Sequence, residues 1–202
     1  SHYDLIGFQT EIDATNFARY LRKECGMPSR DLYTFQTADR TIKIGIFPVG
    51  VETMQLSRLA RRAVHSPFVQ NVVESLAGRV MIIGVDRLDY SKGIALRMEA
   101  FDRFLSTHPE WRGKVTYLQI TPKSRSEIQE YADMQREIDE TAGHVNGTYG
   151  EASWTPIRYV NRAHSRSALA GLYRSAKAAL VTPLRDGMNL VAKEYVAAQE
   201  AE

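Results

Sequence analysis

Apolar residues along the chain follow two different spacings, and together these predict alternating strands and helices. Residues 41–47 alternate between apolar and polar, as a half-buried strand does, and residues 80–85 form a continuous apolar run typical of a buried strand. In residues 94–105 the apolar side chains instead recur every three or four positions, which is the spacing of one helix face. Because strand-like and helix-like segments alternate along the chain, we predict an α/β fold.

The bounds of each segment follow from its pattern and from the residues that interrupt or cap it. Strands are predicted at residues 5–9, 41–47, 80–85, 114–120, 157–160 and 178–182. Helices are predicted at residues 16–25, 56–64, 69–76, 94–105, 126–142, 168–176 and from 190 onward. The 126–142 helix has the capping-box spacing of Ser124 and Glu127 at its start and Gly143 at its end. Repeated units of this kind form a parallel sheet with helices on both faces.

The segment Leu180-Val-Thr-Pro-Leu-Arg-Asp-Gly-Met-Asn-Leu-Val-Ala-Lys-Glu-Tyr-Val-Ala-Ala-Gln199 joins a predicted strand, a polar turn and a helix. Free backbone N–H groups and the positive end of the helix dipole meet at such a turn, which favours an anion. Asp186 lies on the turn within reach of sugar hydroxyls, Glu194 lies near it in the helix, and Gly187 lets the backbone approach a ligand closely. The pattern fits a phosphate flanked by carboxylates, and it equally fits an ordinary strand–helix corner.

The segment Val80-Met-Ile-Ile-Gly-Val-Asp-Arg-Leu-Asp-Tyr-Ser-Lys-Gly93 places two cations after a buried strand. Ligands of open α/β sheets bind at the carboxyl ends of the strands. Arg87 and Lys92 are therefore able to clamp a diphosphate, the arginine as a fork and the lysine as a point charge. Asp86 and Asp89 lie beside them, so a local network of salt bridges is the alternative interpretation.

With three further blocks, these two segments resemble the retaining glycosyltransferase family of trehalose-6-phosphate synthases. The matching blocks occur in the expected order: Asp4-Leu-Ile-Gly-Phe-Gln-Thr10, Gly84-Val-Asp-Arg-Leu-Asp-Tyr-Ser-Lys-Gly93, Gln119-Ile-Thr-Pro-Lys-Ser-Arg-Ser126, Gly147-Thr-Tyr-Gly150 and Thr182-Pro-Leu-Arg-Asp-Gly-Met-Asn-Leu-Val-Ala-Lys-Glu-Tyr-Val-Ala-Ala-Gln199. The resemblance implies a GT-B fold, in which two Rossmann-like domains face each other across a cleft.

The resemblance, with the turn at Pro48-Val-Gly50, also predicts how the chain divides. Residues 1–51 are expected to be the tail of the first, acceptor-binding domain. Residues 52–202 are expected to be most of the second domain, which binds the nucleotide sugar. The chain is therefore expected to be an internal piece of a longer enzyme, lacking most of the acceptor half.

The implied reaction transfers glucose from UDP-glucose to glucose 6-phosphate with retention of configuration, giving trehalose 6-phosphate and UDP. By resemblance, Arg87 and Lys92 bind the diphosphate and stabilise the leaving phosphate, and Asp186 holds the donor glucose; we predict these three as catalytic. Arg125 is expected to reach the phosphate of the acceptor. Further donor-binding residues are predicted at His164, Gly187, Met188, Asn189, Leu190, Val191 and Glu194, the last with the ribose hydroxyls and His164 mainly through its backbone.

Composition and charge argue against several other functional classes. The 202 residues carry a net charge of +2, which is too small for a general nucleic-acid binder. No apolar run reaches the ~20 residues that a membrane helix needs. The single cysteine, Cys25, fits a reducing compartment, so we expect a cytoplasmic protein, and we expect Cys25 itself to be a core residue. The full-length enzyme is expected to form a homo-oligomer.

The sequence predicts no cofactor and no metal, because the histidines do not cluster with carboxylates at metal-binding spacing. Tyr149, Trp154 and Tyr159 are expected in the core or in a cleft wall. Two related functions stay open: a glucosylglycerol-phosphate synthase, which shares this donor half, and a catalytically silent synthase-like regulatory domain. An NAD-binding module is discounted because no Gly-x-Gly-x-x-Gly motif follows a strand.

Overall fold

Strands and helices alternate through residues 3–122 and 129–200, which are the residues that this computed structural model describes. The strands are β1 (Leu5–Phe8), β2 (Thr34–Gln36), β3 (Thr41–Ile46), β4 (Val80–Val85), β5 (Val115–Ile120), β6 (Ile157–Val160) and β7 (Ala178–Ala179). The helices are α1 (Glu11–Lys23), α2 (Thr53–Ala63), α3 (Pro67–Glu74), α4 (Ile94–Thr107), α5 (Gln129–Tyr149), α6 (Arg166–Ser175) and α7 (Leu190–Ala198). The chain divides into two units, Ser1–Gly50 and Val51–Glu202. The roles that we assign to two domains stay predictions.

The first unit is a three-stranded sheet covered by α1. Its strand order is β1-β3-β2, with β1 parallel and β2 antiparallel to β3. Thr10 caps α1 by accepting a hydrogen bond from the Asp13 N–H at 3.2 Å. The helix packs its small buried face, which includes Ala14 and Ala18, against the apolar side of the sheet. The sequence patterns did not predict β2, which is only three residues long.

Cys25 is exposed, so the prediction that it belongs to the core is wrong. The helix α1 ends at Lys23, two residues before the cysteine. Beyond that end the chain turns on the surface, where the Cys25 N–H still donates to the Tyr20 carbonyl at 3.3 Å. The apolar stripe of α1 therefore stops before it reaches the cysteine.

The second unit is a parallel four-stranded sheet with helices on both faces, as the sequence predicts. Its strand order is β6-β5-β4-β7, and every pair of neighbouring strands is parallel. Alternate residues of β4 belong to different hydrophobic clusters. Met81, Ile83 and Val85 pack with residues of α2, α6 and α7, whereas Val80 and Ile82 pack with residues of α4 and α5. Trp154 is buried, and Tyr149 and Tyr159 pack against the same cluster as α4, as expected.

The strand order reverses at β4, and this positions the candidate site. From β4 the chain continues through β5 to β6 on one side, and it then returns to place β7 on the other side of β4. The segments that leave the carboxyl ends of β4 and β7 are therefore neighbours. In open α/β sheets such a switch point is where ligands bind.

Several predicted helices begin earlier in the structure, most of all α1, which begins at Glu11 and not at residue 16. Two other elements end at a different place than predicted. Helix α5 runs on to Tyr149 instead of ending near Ala142, because Val145 extends its buried face beyond Gly143. Strand β7 has two residues instead of five. After Leu180, whose N–H donates to the Ile83 carbonyl at 2.8 Å, the chain leaves the sheet to join the loop after β4. The predicted capping box of Ser124 and Glu127 lies outside the described residues.

None of the helices in the described part of the chain combines the length and the apolar character that a membrane span requires.

Candidate functional site

The loop after β4 is fixed by its own hydrogen bonds. It passes through one turn of 3-10 helix at Tyr90–Lys92 and ends at Gly93, the N-cap of α4. The Asp89 carboxylate accepts hydrogen bonds from the Ser91 hydroxyl at 2.7 Å and from the Ser91 N–H at 2.9 Å. These bonds lower the pKa of Asp89, and the charges of Lys92 and Arg87 add to the effect.

Arg87 lies two residues after the end of β4 and is exposed. Within the residues that the structure describes, its guanidinium forms no ion pair. The predicted network of Arg87 and Lys92 with Asp86 and Asp89 is therefore not the one that forms. Lys92 instead pairs with a carboxylate from a distant loop.

Lys92 and Asp186 meet although 94 positions separate them in the chain. The Nζ of Lys92 lies 2.6 Å from Oδ2 of Asp186, and the two side chains are 14% and 19% accessible. The hydrogen bond from Lys92 is the largest cause that lowers the pKa of Asp186. The fold thus brings the predicted phosphate-binding lysine and the predicted sugar-binding carboxylate into one site.

Backbone contacts join the loop after β4 to the loop after β7. The Ser91 carbonyl accepts hydrogen bonds from the Leu184 N–H at 2.7 Å and from the Arg185 N–H at 3.3 Å. Gly93 has a left-handed backbone with φ of 59°, and a Cβ there would lie 3.2 Å from Cγ of Leu184. The left-handed backbone favours glycine at this position, and a Cβ would also fit tightly against Leu184.

Helix α7 begins beside Asp186 with an asparagine cap. Asn189 accepts a hydrogen bond from the Ala192 N–H at 3.3 Å through Oδ1, and its Nδ2 donates to Asp186 at 3.1 Å. Among the described residues, the N–H groups of Leu190 and Val191 have no hydrogen-bond acceptor. The positive end of the helix dipole therefore keeps free donors beside the site, as an anion site requires.

Gly187 has open space where a side chain would stand. Among residues 3–122 and 129–200, no atom lies within 4 Å of an added Cβ, and the φ of Gly187 is not in the left-handed region. The protein's own packing and backbone do not demand glycine there. A ligand that approaches the backbone closely is a physical reason for its presence.

For the remaining predicted residues, the structure gives less evidence of a place in the site. Glu194 is half-buried in α7, and its charge adds to the burial that raises the pKa of the core residue Tyr173. The His164 ring packs on Phe68, with ring centroids 5.1 Å apart. Arg125 lies outside the described residues, so its predicted contact with the acceptor stays a prediction.

Sequence reasoning missed a buried polar network beneath the two loops. Arg97, which is 3% accessible, donates to Asp86 at 2.5 Å and to the Gln119 side chain at 3.2 Å. The same guanidinium donates to the Thr182 hydroxyl at 2.9 Å and to the Lys92 carbonyl at 3.2 Å. Burial raises the pKa of Asp86, and the charge of Arg97 opposes that rise.

A signal for this network was present in the sequence. Arg97 lies three positions after Ile94, on the apolar stripe that predicted α4, and a charged residue there has to be buried with a partner. Gln119 likewise interrupts the apolar strand β5, where all six residues are buried.

In the described part of the chain, no group of three or more histidine, cysteine, aspartate or glutamate side chains is arranged to hold a metal ion. The prediction that the enzyme uses no metal and no cofactor is not tested by this observation and stays a prediction.

Comparison with known proteins relates the whole chain to one family. The sequence model of glycosyltransferase family 20 matches residues 1–202. The chain is 52% identical to a trehalose-6-phosphate synthase of Sinorhizobium fredii over all 202 residues, which are 44% of that relative. It is 40% identical to a trehalose-6-phosphate synthase of Cronobacter sakazakii over 198 residues, which are 42% of that relative. The chain thus spans less than half the length of these curated relatives.

Solved structures agree with this relationship. A UDP-forming α,α-trehalose-phosphate synthase from Burkholderia xenovorans, solved in complex with glucose-6-phosphate, matches 98% of the chain with a TM-score of 0.94 and 40% identity. The chain covers 44% of that structure. The E. coli protein solved with UDP-2-fluoro glucose matches 98% of the chain with a TM-score of 0.90 and 38% identity, and 44% of it is covered. With a family model that covers every residue and an α/β fold that matches these structures, the chain belongs to glycosyltransferase family 20.

Proposed function

We propose that the protein carrying this chain is a retaining glucosyltransferase that moves glucose from UDP-glucose to glucose 6-phosphate and releases UDP and trehalose 6-phosphate. The observation that carries the proposal is the meeting of Lys92 and Asp186 at the switch point of a parallel sheet. Relatives named trehalose-6-phosphate synthase, and structures solved with glucose-6-phosphate and with a UDP-glucose analogue, support the choice of substrates. The chain supplies mainly the donor half.

Each candidate residue has a role in this reaction. Arg87 and Lys92 neutralise the diphosphate and stabilise the negative charge that develops as the glycosidic bond breaks. Asp186 accepts hydrogen bonds from the glucose hydroxyls once Lys92 has turned to the phosphate. The backbone from Gly187 to Val191 donates to sugar and phosphate oxygens, and Glu194 accepts hydrogen bonds from the ribose hydroxyls. His164 lies near the uracil, and Arg125 binds the acceptor phosphate.

No protein nucleophile is required by this mechanism. Retaining glycosidases use two carboxylates about 5 Å apart. At the meeting of the two loops, the Asp186 carboxylate is instead engaged by Lys92 and Asn189. We propose that the departing phosphate itself accepts the proton of the incoming hydroxyl on the same face of the sugar, which retains the configuration. A cytoplasmic location and a homo-oligomer belong to the same proposal.

The first test is calorimetric titration of the chain with UDP and with UDP-glucose. We expect binding, and we expect Arg87→Ala to weaken it about tenfold or more, equivalent to about 1.4 kcal/mol. Arg103→Ala is the matched control, because it removes the same charge from an exposed position on α4. A folded chain that binds neither ligand would contradict the donor site.

Catalysis is tested separately in a protein of the relatives' length. We expect glucose 6-phosphate to accept glucose there, and we expect the 202-residue chain alone to show little or no turnover. Transfer by the chain alone would contradict the division of the site between two halves. Donor binding without any transfer in the longer protein would favour a silent regulatory relative.

A further inference from the structure

We infer that Arg97 is a positioning residue, which sets the geometry of the donor site by holding the Lys92 loop and the Asp186 loop together. The inference deepens the proposed function and rests on it, because it concerns the same diphosphate site. Arg97 itself is buried beneath the loops and carries no predicted contact with a substrate.

The contacts of Arg97 reach the loop that carries Lys92, the segment that leads to Asp186, and the two strands β4 and β5. Its Nη2 donates to the Lys92 carbonyl, at the end of the loop after β4. Its Nε donates to the Thr182 hydroxyl, in the segment that leads from β7 to Asp186. Its Nη1 is fixed from below by Asp86 at the end of β4 and by Gln119 on β5. One rigid guanidinium fork thus fixes the spacing between two loops that are far apart in sequence.

The packing around Arg97 shows that its position is specific. A Cβ at Gly84 would lie 2.8 Å from the Tyr117 hydroxyl and 3.0 Å from Nη1 of Arg97, so β4 needs glycine there to make room for the network. The Tyr117 hydroxyl in turn donates to the Gln119 side chain. Every donor of a buried arginine that loses its partner is costly, which keeps the guanidinium in one place.

A positioning residue such as Arg97 affects binding although it does not touch the ligand. Lys92 can bind a phosphate only from where its backbone holds it, and small displacements of a charged group weaken a diphosphate site strongly. Loosening the Arg97–Thr182 contact is therefore expected to weaken diphosphate binding through Lys92, and not through lost contacts to the base or the ribose.

The test uses variants at both ends of the Arg97–Thr182 hydrogen bond, titrated with UDP. Thr182→Val keeps the shape of the side chain but removes the acceptor, and Thr182→Ser retains a hydroxyl. Arg97→Lys keeps the charge beside Asp86 but loses the fork. We expect Thr182→Val and Arg97→Lys to weaken UDP binding about five-fold or more, and Thr182→Ser to bind like the unmodified chain.

Arg79→Lys is the matched control for loss of stability alone. Arg79 also holds backbone carbonyls, those of Gly113 at 3.0 Å and Leu76 at 3.1 Å, but it precedes β4 and lies at the opposite end of the strand from the site. We expect this variant to lower the unfolding temperature and to leave UDP affinity unchanged. Titrations are made well below the unfolding temperature of every variant. If Arg97→Lys does not fold, the Thr182 pair carries the test.

A double-mutant cycle with Lys92→Ala decides whether Arg97 acts through the lysine. In the Lys92→Ala background we expect Thr182→Val to change UDP affinity less than about two-fold. Folded Thr182→Val and Arg97→Lys variants with normal affinity would overturn the inference, as would an effect that persists undiminished without Lys92. Failure of the unmodified chain to bind UDP would instead contradict the proposed function, so the two failures are distinguishable.

Discussion

Gly187 allows a ligand contact to be tested with little disturbance of the protein. A Cβ at this position would enter open space, and the backbone is not left-handed, so Gly187→Ala should leave the free energy of unfolding nearly unchanged. The donor sugar is expected to approach this backbone, where the added methyl group would collide with it. We therefore expect the affinity for UDP-glucose to fall about tenfold or more, measured by calorimetry.

Gly50→Ala is the matched control for this substitution. Gly50 also has open space around it and no left-handed backbone, but it lies in the first unit. We expect this variant to bind UDP-glucose normally. Normal binding by Gly187→Ala as well would mean that the donor does not come close to this part of the turn.

The pairing of Lys92 with Asp186 predicts that the pKa of Asp186 changes measurably when Lys92 is replaced. Because Lys92 is the main cause that lowers the pKa of Asp186, Lys92→Ala should raise that pKa toward its ordinary value. NMR titration of the Asp186 carboxyl carbon in both proteins measures the change. An unchanged pKa would show that the ion pair does not persist in solution.

The same pair gives a pH-dependent contribution to stability. A lowered pKa in the folded state favours folding above the unfolded-state pKa of about 3.9, and this contribution is lost as the pH falls through the folded-state value. The difference in free energy of unfolding between the unmodified chain and Lys92→Ala should therefore be largest near neutral pH and shrink in acid. Because both side chains are partly accessible, we expect it to be about 1 kcal/mol or less in urea denaturation.

Among the elements, α5 contains two glycines that its structure does not require. Gly143 and Gly147 lie inside the helix without a left-handed backbone, and no atom of the described residues lies within 4 Å of an added Cβ at either position. Alanine at either position lowers the entropy of the unfolded chain, so each substitution should stabilise the protein by up to about 1 kcal/mol in urea denaturation.

Gly150→Ala gives the opposite expectation at the end of the same helix. A Cβ there would lie 3.3 Å from the carbonyl carbon of Asn146 and still closer to its oxygen, and the Gly150 N–H donates to that oxygen. We expect this variant to be destabilised. Stabilisation by Gly150→Ala, or destabilisation by the two helical variants, would mean that α5 does not run to Tyr149.

The elements that the sequence predicted best are those with a strong pattern and a clear boundary. The apolar run of β4 ends at charged residues, and its predicted bounds of 80–85 match the structure. Gly143 wrongly indicated the end of α5. The helix continues past this glycine because Val145 extends its buried face. Strand β7 is short because the chain after it turns to contact the loop after β4, which is distant in the sequence. A local sequence pattern carries no information about such a contact.

The candidate site was predictable to a similar extent. Lys92 and Asp186 stood out because each follows a strand, and the fold brings them together. Arg97 did not stand out, because a helix is predicted from its apolar positions, and one charged residue among them does not change that prediction. Its role depends on partners from β4, β5 and the segment after β7, and only the assembled sheet reveals these.

At the scale of the whole chain, every proposed donor-site residue belongs to the second unit, Val51–Glu202. This unit has its own parallel sheet and two hydrophobic clusters, one on each face. We therefore predict that residues 51–202 alone fold cooperatively and bind UDP with nearly the affinity of the 202-residue chain. Thermal unfolding and calorimetric titration measure the two properties.

The first unit, Ser1–Gly50, should behave differently when it is separated. Chains of this length bury a small share of their surface and are at best marginally stable. Its described residues, 3–50, form three short strands and one helix, and large apolar residues such as Ile12 and Phe47 stay exposed, at 73% and 56%. We expect residues 1–50 to be largely unfolded by circular dichroism. If the 51–202 protein folds but does not bind UDP, the first unit supplies part of the donor site. The assignment of the donor site to the second unit alone would then be wrong.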